Sequence, residues 1–160
     1  MKTVAILYSL LLLASHTFAA ELPRYADFPA KHFIIERQAR VNLSSNRLAR
    51  EYRTALRLGA ATGPNFAGHY TVVDWGCGSS CNECAVVDAR TGKVFSDDRM
   101  NGAKTGYAYR RDSNLFIVNP VEDSLRFHFG DTLLTSYYLW NGRTFKFLRT
   151  HQDPRVEYFR

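Results

Sequence analysis

All three cysteines of the chain, with one histidine just upstream, fall in the run NFAGHYTVVDWGCGSSCNEC from Asn65 to Cys84. Four chemistries fit those residue types. Cys77, Cys81, Cys84 and His69 together make a Cys₃His ligand set of the kind that binds zinc. Cys81-Asn82-Glu83-Cys84 is formally a C-x-x-C redox pair. Such pairs open a helix, whose N-terminal dipole lowers the thiol pKa, whereas a strand is expected after Cys84. Cys77 and Cys81 enclose Gly78-Ser79-Ser80, small residues suited to a tight turn, so these two sulfurs can also close a disulfide. That bridge spans a loop of about five residues and contributes roughly 2 kcal/mol through chain entropy. Gly76 and Gly78, finally, can turn several backbone N–H groups into one anion-binding concavity, with Tyr70 and Trp75 as aromatic walls.

An odd cysteine count permits one intramolecular disulfide at most. In an oxidising compartment Cys77–Cys81 is the favoured pair, which leaves Cys84 as a buried, inert thiol at the start of a strand. The segment C-G-S-S-C faintly echoes the papain-like C-G-S-C-W, but the inserted serine breaks the match and no long downstream span follows to carry the partner histidine. His69 shares a strand face with Thr71, Val73 and Trp75 and is expected to be a hydrogen-bonded packing residue. Asp74 lies on the other face and cannot orient it. Asp97 and Asp98 read as a solvated loop pair, and His128 and His151 have no recognisable partners. No Ser-His-Asp order, phosphate-cradling loop or H-E-x-x-H helix occurs. No catalytic residue, metal ligand or cofactor is assigned on this basis.

The elements that position this run come from periodicity. Asn46 to Ala60 carries Leu48, Tyr52, Ala55 and Leu56 at helical spacing, with Ser44 or Ser45 as the cap and Gly63-Pro64 as the stop. Arg47, Arg50, Arg53 and Arg57 form a basic ridge opposite, either solvated or anion-holding. After Pro64 the period changes to two. Strands are expected at His69–Trp75, Cys84–Ala89, Lys93–Ser96, Gly106–Arg110, Leu115–Val118, Leu125–Phe129, Leu133–Trp140 and Thr144–Leu148. Gly92 is expected at positive φ, Arg111–Asn114 as a type I turn, and Asn141-Gly142 as a hairpin turn. Lys31–Leu43 is ambiguous and leans to strand, and Glu21–Ala30 reads as an irregular arm. The expected class is α+β: an antiparallel meander of about six to eight strands, essentially one sheet, covered by one N-terminal helix.

Met1 to Ala19 has the makings of a secretory leader, with Lys2, an apolar stretch from Val4 to Ala14, and small residues at Thr17 and Ala19. That stretch is shorter than the about 20 apolar residues a spanning helix needs. Residues 20–160 then form one domain, with 20–42 partly an arm, and no transmembrane segment. The formal charge of +6 falls to +5 because Lys2 leaves with the leader and no acid does. A mild, interspersed basic excess favours anionic partners weakly and calls for no nucleic acid.

The runs GPNFAGHY, WGCGSSC and VVDARTGKVF, in this order and spacing, resemble an uncharacterised family of small exported bacterial proteins. The resemblance covers Leu43 to Phe95 well, continues loosely through DSNLFIVNP and YYLWNG, and leaves the segment before Leu43 uncovered. It implies a bridge between Cys77 and Cys81, with Cys84 a departure where another residue is usual, and it implies no reaction. The expected protein is therefore a non-catalytic, periplasmic or secreted binding protein. Its surface would comprise Asn65, His69, Tyr70, Trp75, Gly76 and Gly78, and its partner would be another exported protein or an anionic envelope component. The alternative is thiol-redox or zinc-dependent activity at Cys77, Cys81 and Cys84 with His69.

Overall fold

A computed structural model describes residues 21–31, 35, 37–120 and 133–152. The leader at 1–19, the strand expected at Leu125–Phe129 and His128 lie outside the described residues. Two short helices, α1 (Arg47–Glu51) and α2 (Arg53–Ala60), precede the strands. These are β1 (Tyr70–Gly78), β2 (Cys81–Asp88), β3 (Val94–Phe95), β4 (Tyr107–Tyr109), β5 (Leu115–Val118), β6 (Thr135–Trp140) and β7 (Phe145–His151). Every pairing is antiparallel, but the strands form two sheets rather than one: β1-β2-β3 and β4-β5-β6-β7. The meander breaks after β3, which pairs only through Val94 and Phe95. Asp97 then accepts from the Arg99 amide and starts a 3-10 turn that carries the chain across to β4.

The single helix expected over Asn46–Ala60 is interrupted at Tyr52, whose φ of −97° and ψ of 27° leave the helical region. Its cap is Asn46 rather than a serine. The Asn46 side chain accepts from Ala49 N at 2.8 Å and donates to the Val94 carbonyl, so one residue both starts α1 and ties it to β3. Ser45 is used differently, its hydroxyl accepting from Val94 N.

The three-stranded sheet lies between two apolar layers. On one face Tyr70, Val72, Cys84 and Val86 pack with Phe66 against Phe116, Tyr138, Trp140 and Phe145 of the second sheet. On the other, Val73, Ala85, Val87 and Val94 pack under Ala49, Leu56 and Ala60 of the helices. Tyr70 to Val73 is consequently buried on both faces, where the alternating pattern had implied one wet face. Within the sheet, α2 packs on β1 and β2. α2 approaches β1 so closely that a Cβ on Gly59 would sit 2.5 Å from Val73 Cγ1.

The second sheet is met by the N-terminal arm. Ser113 is fully buried, and its hydroxyl lies 2.9 Å from the Tyr25 carbonyl and 3.0 Å from that of Phe28, while accepting from Leu115 N. Asn114 N donates to the Phe28 carbonyl and Ala30 N to that of Asp112. The described residues of 31–43 form neither strand nor helix, although Ala39 and Asn42 donate to the carbonyls of Ala89 and Gly92. Gly92 has the expected positive φ, 73°. The β6–β7 connection is longer than an Asn-Gly turn. Residues Asn141 to Thr144 form it, and the Asn141 side chain accepts from the amides of Arg143 and Thr144. Among the described residues no helix is long and apolar enough to cross a membrane.

Candidate functional site

β1 and β2 form a hairpin that runs beyond the helices into solvent. Gly76, Cys77, Gly78, Ser79 and Ser80 are all exposed, whereas Cys84 to Val87 are buried. The strands continue to Gly78 and Cys81, so the C-N-E-C segment lies within a strand and not at a helix start. Cys77 is the extra residue of a bulge between Gly76 and Gly78, and a disulfide joins it to Cys81 with the Cα atoms 5.1 Å apart. Gly78 (φ 137°) and Ser80 (φ 49°) carry the reversal, conformations a side chain at Gly78 would strain. The bridge thus closes the neck of a two-residue loop.

Trp75 stands at the root of this tip and is held from two sides. Its ring stacks on Tyr52 with centroids 4.5 Å apart, and its indole N–H donates to Glu83 Oε2 at 3.1 Å. Tyr52 is also the residue at which the helix is interrupted. Beside the pair lies a polar groove of about 360 Å³, lined among others by Asn46, Glu51, Tyr52, Glu83 and Asp98. Desolvation, then the Glu83 carboxylate, raises the Tyr52 phenol above its ordinary pKa.

The six residues expected to form one binding surface divide into two groups. Trp75, Gly76 and Gly78 belong to the tip. Asn65, His69 and Tyr70 lie at the opposite end of the hairpin, about 16 Å away at ~3.3 Å per strand residue, and are committed to structure. The Asn65 amide pairs with the backbone of Val72, accepting from its N–H at 2.8 Å and donating to its carbonyl. Tyr70 is buried, ringed by Trp140 and Phe95, and its hydroxyl donates to the Gly142 carbonyl. His69 is 8% exposed, stacked against Tyr70, with Nε2 3.7 Å from Asp88 Oδ1. Burial is the main influence on its imidazole and lowers its pKa. Asp88 opposes that effect and Arg90 reinforces it.

Cys84 shares neither site. It faces the aromatic core, 2% exposed, and burial pushes its thiol up to about 12. The neighbouring Tyr107 hydroxyl donates to the carbonyls of Asn82 and Met100. The register pairs Cys84 with Asp74 and Tyr70 with Asp88, so His69 and Cys84 are separated by most of the strand. Two of the four donors of the Cys₃His set are joined to each other. Among the described residues no group of three or more His, Cys, Asp or Glu side chains is placed to hold a metal ion.

The chain matches no family model, no curated protein and no solved structure. Geometry is therefore the ground for function. Sequence reasoning missed Glu83 and Tyr52 as partners of Trp75. Glu83 was recoverable: once Gly78 to Cys81 is a hairpin reversal, the ladder places Trp75 opposite Glu83. Tyr52 packs on the helix–sheet core as its apolar spacing implies, but its stacking on Trp75 joins residues distant in the chain and has no local signal.

Proposed function

We propose that this chain is a non-catalytic binding protein working outside the cytoplasm, and that the bridged β1–β2 tip docks another exported protein. The observation that carries it is a run of five exposed residues, Gly76 to Ser80, clamped by Cys77–Cys81 at the end of a hairpin that is buried at Tyr70–Val73 and Cys84–Val87. A loop held in one conformation loses little entropy on binding, which is how such closures favour affinity. Trp75, fixed by Tyr52 and Glu83, supplies a rigid aromatic anchor beside it, the residue type that dominates interface energies. The exposed disulfide fits an oxidising compartment. Thiol or zinc chemistry at the same place would require the bridge to be reduced and Cys84 to leave the core.

Gly76→Arg tests the proposal without touching the core, since a Cβ on Gly76 meets nothing within 4 Å. A photo-crosslinking residue at Ser79 should trap a discrete partner from the exported protein fraction of the source cell. One at Arg143, on the β6–β7 loop, should not. Gly76→Arg should abolish the Ser79 product while melting at the wild-type temperature. Identical products from Ser79 and Arg143 would show that the tip is not a docking site.

A further inference from the structure

At the other end of α2 a second concavity has quite different chemistry. The segment from Gln38 to Val41 crosses the last turn of α2 and borders a solvent-open cavity of about 490 Å³. Its walls are Gln38, Arg40, Val41, Arg57, Ala60 and Ala61. That volume lies within the ~300–1,000 Å³ usual for small-molecule sites.

The walls are fixed. The Gln38 amide donates to the Ala60 carbonyl, Ala39 N to Ala89 O at 2.8 Å, and Asn42 N to Gly92 O at 2.7 Å. Gly92 is needed for this crossing, because a Cβ there would fall 1.9 Å from the Arg40 carbonyl oxygen. Arg40 and Arg57, both exposed, border the space, and among the described residues neither has a carboxylate within salt-bridge distance. The C-terminal end of a helix carries about half a negative charge, which opposes an anion. Two full positive charges outweigh it, and its last carbonyls are already engaged by Gln38 and by the amides of Ala61, Thr62 and Gly63. Beside Gln38 and the two arginines, Ala39, Val41, Ala60 and Ala61 supply the apolar part of the lining.

We infer that this cavity binds a small amphiphilic anion, its carboxylate or phosphate head between Arg40 and Arg57 and a short hydrocarbon body against Val41, Ala60 and Ala61. Guanidinium forks recognise both head groups in bidentate fashion. The alanines leave room for a chain that inorganic anions do not fill.

The test is a titration of the folded protein with hexanoate, hexyl phosphate and inorganic phosphate at ~0.15 M ionic strength, where exposed charges alone are screened. Backbone amide resonances of Gln38, Arg57 and Ala61 are the readout. Saturable shifts are expected with hexanoate or hexyl phosphate, and whichever binds more tightly identifies the head group. Inorganic phosphate should bind at least tenfold more weakly. The double variant Arg40→Gln/Arg57→Gln should lose at least tenfold in affinity. Ala61→Phe, which fills the cavity from an exposed position and keeps both charges, should do the same. Gly76→Arg should change nothing, which separates this site from the tip. Absence of saturation, equal binding of inorganic and hexyl phosphate, or undiminished binding in Ala61→Phe would each overturn the inference.

Discussion

Cys84 and His69 both carry ionisable groups inside the protein, and burial dominates each. A thiol pushed up to about 12 is ionised at pH 8 in roughly one molecule in ten thousand, and only the thiolate reacts. The folded protein should therefore release no colour from a chromogenic disulfide reagent at pH 8, and one thiol per chain in guanidinium. A rapid reaction of the native protein would place Cys84 at the surface. For His69 the sign follows from its lowered pKa: the fold favours neutral imidazole, while the unfolded chain binds a proton near the ordinary value of about 6.5. Stability is whole above that value and declines as pH falls below it. Asp88 weakens the effect, being near enough to attract the charged form, but does not reverse it. Chemical denaturation at pH 7.5 and 5.5 should show a larger acid loss for wild type than for His69→Asn. An equal loss would mean that His69 does not contribute.

Among the elements, the contact of α2 with β1 decides where side chains can be added. Alanine for glycine inside a helix ordinarily gains up to ~1 kcal/mol. At Gly59 the added methyl would meet Val73 at 2.5 and 2.8 Å from its two Cγ atoms. Valine is stiff at χ1 and cannot turn away, so Gly59→Ala should destabilise by about 1–3 kcal/mol, as overpacking does. A thermal melt checks it. The hairpin responds in another way. Its bridge closes a short loop at an exposed tip, and Cys77→Ser/Cys81→Ser should cost roughly 2 kcal/mol while leaving the register from Tyr70 to Trp75 in place, since buried pairs on both faces set that register.

In the whole molecule, three layers are held by two separate apolar cores, and the buried Ser113 hydroxyl is one of the groups that attach the N-terminal arm to the second sheet, with Asn114 and Ala30. Ser113→Ala would leave the Leu115 amide without its acceptor, together with the carbonyl the hydroxyl had served. Unsatisfied buried groups cost about 1–3 kcal/mol. The change should also release the arm. Limited trypsinolysis should cut after Arg24 and Lys31 several-fold faster in the variant. Unchanged cleavage would show that the remaining arm bonds, from Asn114 and Ala30, hold it without the serine.

Local chemistry was enough to determine much of this protein. Positive φ at Gly92, strand identity at Leu115–Val118, the exposed arginine ridge on α1 and α2, and the Cys77–Cys81 pair all depend on interactions within a few residues. What the tertiary structure decided depends on partners distant in the chain. Alternating Tyr70, Thr71, Val72 and Val73 cannot reveal whether the second face is wet, because Thr71 and Val73 suit either setting until helices cover them. The division into two sheets falls where a 3-10 turn, capped by Asp97, follows β3. The expected surface of Asn65, His69, Tyr70, Trp75, Gly76 and Gly78 was drawn from neighbours in sequence. A strand carries neighbours apart at about 3.3 Å per residue, so half of them became scaffold at one end of the hairpin while Trp75 and the two glycines reached the other. The cavity between Arg40 and Arg57 has no local signature, since it exists only where residues 38–41 cross the end of α2.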